Sequence, residues 1–181
     1  MSRIKASGLI IFKGIKIYQY ASLGNFTTWK IGGPAEWFAE PINIKEVKEL
    51  IAWASRHEIK YQIIGFGSNL LISDSGLKGL IICLRKLTGC IIDKNSGLIN
   101  VLAGENLPGL SRKAAQYGLN GLQWAVGIPG SVGGASVMNA GAQGGSINEC
   151  IKSVEVLSCK DAESFLIKEK DLQYAYRDSR L

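Results

Sequence analysis

Apolar positions along this chain recur with two periods, and the alternation between them marks out its elements. Val47, Leu50, Ile51 and Ala54 fall at i, i+3, i+4 and i+7, which predicts an amphipathic helix over residues 44–57. Asn43 precedes it and Glu46 follows three residues on, the spacing of an N-terminal capping pair. Ala35-Glu36-Trp37-Phe38-Ala39-Glu40, closed by Pro41, reads as a strand before the helix, and Tyr61-Gln62-Ile63-Ile64 as a short buried strand after it. Beyond Gly76, residues 80–84, 90–93 and 98–102 are short apolar runs separated by turn residues such as Asn95-Ser96-Gly97. Asn106-Leu107-Pro108 opens a second helix through Tyr117, with Gly118 just past its end. Residues 152–157 alternate as a half-exposed strand, whereas residues 1–24 read as a loosely determined lead-in.

This order predicts an α+β fold of two mixed α/β lobes, residues 25–75 and 76–181, with the boundary near 73–79. Few crossover helices separate the strands beyond Gly76, so a largely antiparallel or mixed sheet with helices packed on it is expected there.

Composition narrows the classes. A chain of 181 residues buries about 70% of its unfolded surface. With 46% hydrophobic and 20% charged residues, disorder is excluded. The net charge of +6 is scattered, which argues against a nucleic-acid patch and reads either as simple solubility or as a mild attraction for anionic nucleotides. Cys83, Cys90, Cys150 and Cys159 form no Cys-x-x-Cys, and His57 is the single histidine, so no metal set is expected. Thiols without a disulfide framework fit a reducing cytoplasm. The apolar run at residues 9–12 is too short for a membrane span.

Candidate chemistry lies in two glycine loops. Gly65-Phe66-Gly67-Ser68-Asn69-Leu70 leaves the strand at 61–64, where consecutive amides, a hydroxyl and a carboxamide can face a diphosphate. It is neither a Rossmann fingerprint, since Leu70 takes the third small position, nor a P-loop. A tight strand-to-strand turn would have the same pattern. Residues 127–145 hold seven glycines yet stay apolar through Val132, Val137 and Met138. Glycine serves positive φ or close approach, so this segment reads as a backbone surface for a flat, oxygen-rich ligand, or as close packing of two helices. Two such loops suggest a ligand held from both ends.

Four segments in order, residues 27–35, 65–71, 127–142 and Tyr176-Arg177-Asp178-Ser179, closely resemble MurB, the UDP-N-acetylenolpyruvoylglucosamine reductase family. The resemblance spans residues 25–179 and implies a two-lobed FAD-binding fold of the MurB/PCMH-type flavoprotein superfamily. It implies FAD as cofactor, NADPH as electron donor, a UDP-sugar enolpyruvyl ether as substrate, and a role in peptidoglycan synthesis. FAD is then expected on Gly65, Gly67, Ser68, Asn69 and Leu70, and on Gly127, Pro129, Gly130, Ser131, Gly133, Gly134, Asn139, Gly141 and Ala142. Tyr176 and Ser179 are expected at the substrate. Arg177 is the expected catalytic residue, its planar, permanently charged fork stabilising the enolate formed on hydride addition. Read without the resemblance, the Tyr-Arg-Asp sequence favours a salt-bridged strand-end residue at Arg177.

MurB enzymes continue past the Tyr-Arg-x-Ser motif into further flavin-binding structure and a substrate-binding domain, where the family's proton-donating Ser and its assisting Glu lie. Ser179 belongs to the earlier motif and is not that donor. The chain alone is therefore expected to bind FAD and turn over poorly, with a C-terminal complement polypeptide as a partner. A non-catalytic FAD-binding module, or one part of a split enzyme, is the alternative. A flavin oxidase is a weaker one, because many covalent oxidases of the superfamily carry a histidine in the first glycine loop, where this chain has Ser68.

Overall fold

Ile15, Ile17 and Ala21 are buried while Lys16 and Tyr20 between them are exposed, and this period-two pattern carries the first strands. In the computed structural model, which describes residues 4–159 and 161–181, β1 (Gly8–Phe12) and β2 (Ile15–Ser22) pair antiparallel. Lys13 and Gly14 form their two-residue turn with φ of 49° and 82°, the doubly left-handed geometry that suits a twisted hairpin. Residues expected as a lead-in thus form two of the five strands of a sheet; residues 1–3 of that expectation lie outside the described residues.

The sheet continues with β3 (Pro34–Ala39), antiparallel to β2. Helix α1 (Ile44–Arg56) follows, capped as its sequence requires: the Glu46 amide donates to Asn43 Oδ1 at 2.9 Å. Val47, Leu50, Ile51, Trp53 and Ala54 form its buried face. Next come β4 (Tyr61–Ile64) and β5 (Leu77–Cys83), the latter lying parallel between β3 and β4 in the order β1-β2-β3-β5-β4. Gly79 through Cys83 are buried without a break, the pattern of a central strand covered on both faces.

This insertion corrects the expected boundary at 75/76. Because β5 belongs to the first sheet, the chain divides into units Met1–Leu87 and Thr88–Leu181. Leu23, Phe26, Phe38, Ile64, Ile72 and Ile81 sit at the heart of the first unit's core.

The second unit does not contain the sheet expected of it. Among the described residues its strands form three separate antiparallel pairs. The first is β6 (Cys90–Asp93) with β7 (Leu98–Val101). Helices α2 (Leu107–Gln116) and α3 (Val132–Val137) come next. They precede β8 (Gly141–Ala142) with β9 (Gly145–Ser146), and β10 (Ser153–Leu157) with β11 (Ser164–Lys168). Strands of two to five residues leave little ladder to extend, and the core forms on the helices instead. Leu107, Leu110, Trp124, Ala125, Val132 and Ala135 pack together there. No described helix is long and apolar enough to cross a membrane.

Candidate functional site

The first glycine loop is built by backbone packed on backbone. Gly67 is buried at φ 66°, and a Cβ there would overlap the carbonyl oxygen of Phe26. Its own carbonyl accepts the Thr28 amide at 3.3 Å, and the Gly33 amide donates to Ser73 at 3.0 Å. The Thr27 hydroxyl closes the intervening turn by donating to Ile31 at 2.9 Å. Residues 27–34 therefore pack against residues 67–76, which brings the first two recognised segments into one site. Gly65 accepts the Cys83 thiol at 3.5 Å, and burial pushes that thiol up to about 11. Asn69 and Leu70 are exposed, Ser68 is half-buried, and the apolar Leu71 and Trp29 are 78% and 69% exposed. Exposed apolar groups beside a carboxamide and a hydroxyl are the materials of a site for a flat ligand.

The second glycine segment has an open half and a packed half. Gly127 and Pro129 are exposed, and a Cβ added to Gly127 or Gly130 would meet no protein atom within 4 Å. Gly130 has φ 143°, a conformation that side chains disfavour. From Ser131 onward the groups turn inward. Ser131 is buried, its hydroxyl accepting the Gly134 amide at 3.2 Å. Val132 and Gly133 donate to Glu105 and Ala103 at 2.9 and 2.8 Å. A Cβ on Gly133 would stand 2.8 Å from that of Ala103, so this glycine lets α3 pack closely. Gly141 and Ala142 form β8, facing β9. The segment thus has two parts: the loop at 127–130 exposes bare backbone, and α3 packs closely on the turn at Ala103.

Asn139 ends this segment at φ 41° and reaches the Tyr-Arg motif. Its Nδ2 donates to the Ala175 carbonyl at 2.9 Å, and its Oδ1 accepts the Asn148 amide at 3.3 Å. The Ser179 hydroxyl donates to the Val137 carbonyl at 2.7 Å. Between these ties Ala175 and Asp178 exchange backbone bonds, leaving Tyr176 and Arg177 at the tip of a tight turn. Arg177 sits there at φ 58°, exposed, its guanidinium carbon 5.8 Å from the Tyr176 ring centroid. Tyr176 is 91% exposed. Asn139 and Ser179, expected at cofactor and substrate, both make hydrogen bonds within the protein.

Tyr174 went unremarked in the sequence. Its hydroxyl is buried without a hydrogen-bond partner among the described residues, and burial, aided by Glu169, holds it above the usual phenol range. It packs on the second unit's core just before the Arg177 turn. Its signal was faint: Tyr174 and Tyr176 alternate around Ala175, and only burial distinguishes them.

The sequence model described as "FAD binding domain" matches residues 35–163. The UDP-N-acetylenolpyruvoylglucosamine reductase of Prochlorococcus marinus (strain MIT 9313) is 53% identical over 173 residues, covering 96% of this chain and 56% of that protein. Among solved structures, MurB from Thermus caldophilus superposes with a TM-score of 0.71 at 30% identity, over 96% of this chain and 58% of that one. A cholesterol oxidase from Brevibacterium sterolicum gives a TM-score of 0.63 at 16% identity, covering 92% of this chain and 34% of its own, a likeness of fold alone. The resemblance to MurB holds in sequence and in structure, and the chain spans about half the length of the relatives it matches.

Proposed function

We propose, for a chain that belongs to the FAD binding domain family, that it holds FAD and forms the flavin-binding part of a MurB-type reductase. The observation that carries this reading is the joining of the glycine segment to the Arg177 turn through Asn139 and Ser179. It sets a cofactor-type loop and a cationic turn side by side in one unit. The residues fit the group. Bare backbone at Gly127 and Gly130 can lie against a flat or phosphate-bearing ligand, since no protein atom occupies the space a Cβ would fill. In the first unit, Ser68 and Asn69 supply polar groups beside exposed apolar side chains.

Bound FAD supplies hydride chemistry between NADPH and the enolpyruvyl double bond of UDP-N-acetylglucosamine enolpyruvate. Arg177 contributes charge: its exposed guanidinium can pair with the substrate carboxylate and stabilise it more as enolate charge develops. Tyr176 beside it offers a ring face and a hydroxyl to the sugar nucleotide. NADPH, the UDP-sugar and a complementing polypeptide enter on the strength of the MurB likeness.

The purified chain should carry an oxidised-flavin spectrum or bind added FAD at micromolar affinity or better, about −8 kcal/mol. A colourless chain that leaves FAD fluorescence unchanged refutes the cofactor. NADPH oxidation with UDP-N-acetylglucosamine enolpyruvate, measured with and without the unmatched remainder of the Prochlorococcus protein, then tests the reaction. FAD binding with no turnover in either arm would favour a flavin-binding module over a reductase.

A further inference from the structure

Two side chains tie the end of the glycine segment to the base of the Arg177 turn. Asn139 Nδ2 bonds the Ala175 carbonyl at 2.9 Å, and the Ser179 hydroxyl bonds the Val137 carbonyl at 2.7 Å, links that span 36 and 42 residues of sequence. Ser179 also accepts the Leu181 amide at 3.3 Å, and Asn139 is itself held by the Asn148 amide at 3.3 Å. Both Asn139 and Arg177 have left-handed backbone, at φ 41° and 58°. Asparagine adopts that region readily; arginine keeps it only where the surroundings impose it. The bonds to Ala175 and Val137 flank Arg177 and supply that constraint.

We propose that Asn139 and Ser179 are positioning residues that couple flavin engagement of residues 127–139 to the Arg177 turn; this rests on the FAD reading above. The physical path is short. A ligand that fixes the open loop at 127–130 also fixes α3, which begins at Val132 and ends at Val137, one bond from Ser179 and two residues from Asn139. Loosening either tie frees the turn while the loop still binds.

Hydrogen–deuterium exchange of the 181-residue chain with and without FAD tests this, with flavin fluorescence reporting binding. Asn139→Asp keeps the left-handed preference and the acceptor for Asn148 but removes the donor to Ala175. Ser179→Ala removes the hydroxyl, and Ser179→Thr restores it. FAD is expected to slow exchange over residues 127–139, and to slow it roughly tenfold at the Ala175, Asp178 and Arg180 amides. In Asn139→Asp and Ser179→Ala the first effect persists and the second is lost, while Ser179→Thr shows both. Protection of the turn that survives in both variants overturns the proposal. So does a variant that loses protection in both segments together with FAD binding, which marks a merely structural role. Failure of FAD to bind the unmodified chain overturns the cofactor reading, and this coupling with it.

Discussion

Gly67 lies against the Phe26 carbonyl, close enough that a Cβ on the glycine would overlap that oxygen. With φ at 66° as well, the residue is fixed twice over, by conformation and by the segment packed on it. Gly67→Ala is therefore expected to destabilise the chain by more than about 2 kcal/mol, through the left-handed penalty and the displaced backbone. Urea unfolding measures this. A loss below about 1 kcal/mol would show that the packing of residues 27–34 on the loop yields easily.

Gly130 should behave differently although it looks equivalent in sequence. Its φ of 143° penalises a side chain, but the space beside it is open. Gly130→Val should leave the far-ultraviolet circular dichroism near native and weaken FAD binding by at least roughly tenfold, a cost of about 1.4 kcal/mol. Parallel loss of folding and binding would assign Gly130 to packing instead.

These two glycines illustrate what the chain's sequence discloses. Helices α1 and α2 were legible because their caps and stripes are local: Asn43 and Asn106 cap through side chains only three residues away. The glycine loops stood out as candidates because glycine density is itself unusual. What each glycine faces was not legible, since Phe26 and Ala103 are brought to Gly67 and Gly133 only by the fold. The β1–β2 hairpin was overlooked although Ile15, Ile17 and Ala21 alternate, because Lys13-Gly14 is a weaker turn signal than Asn-Gly. The place of β5 could not be read locally, because insertion between β3 and β4 is set by long-range parallel pairing. The partners of Asn139 and Ser179 were hidden for the same reason: Ala175 and Val137 lie 36 and 42 residues away and meet them only in the fold.

Cys83 predicts the response to alkali. Burial raises its thiol from 9.0 to about 11; the Glu40 charge adds to this, while a backbone bond at Arg85 and the Arg85 and Lys86 charges oppose it. The folded state therefore retains the proton that the unfolded chain releases. Stability from this group is fully present below about pH 9 and is lost as pH rises toward 11, by roughly 2–3 kcal/mol at most. Burial raises Cys90 and Tyr174 as well, so both act in the same direction. Urea midpoints measured from pH 8 to 11 should fall, and in Cys83→Ala the fall should be shallower. An unchanged slope would show that Cys83 is hydrated in the folded protein.

Arg177 separates strain from chemistry. Its φ of 58° costs an arginine about 1–2 kcal/mol and a glycine nothing, while glycine pays about 0.5–1 kcal/mol of added chain entropy. Arg177→Gly should consequently fold as stably as the parent chain or slightly more so, whereas Arg177→Ala keeps most of the strain and should not gain. Both remove the guanidinium. In chain combined with the remainder of a MurB relative, each should lower turnover about a hundredfold or more and leave FAD affinity within roughly threefold. Arg177→Lys should recover little, because an ammonium cannot present the two parallel donors a carboxylate accepts. Stability from urea unfolding, FAD affinity from fluorescence and turnover from NADPH oxidation give three independent readings. Turnover undiminished in Arg177→Gly would remove Arg177 from the chemistry; a marked loss of stability in the same variant would show that the side chain, rather than the ties at Ala175 and Val137, holds the turn.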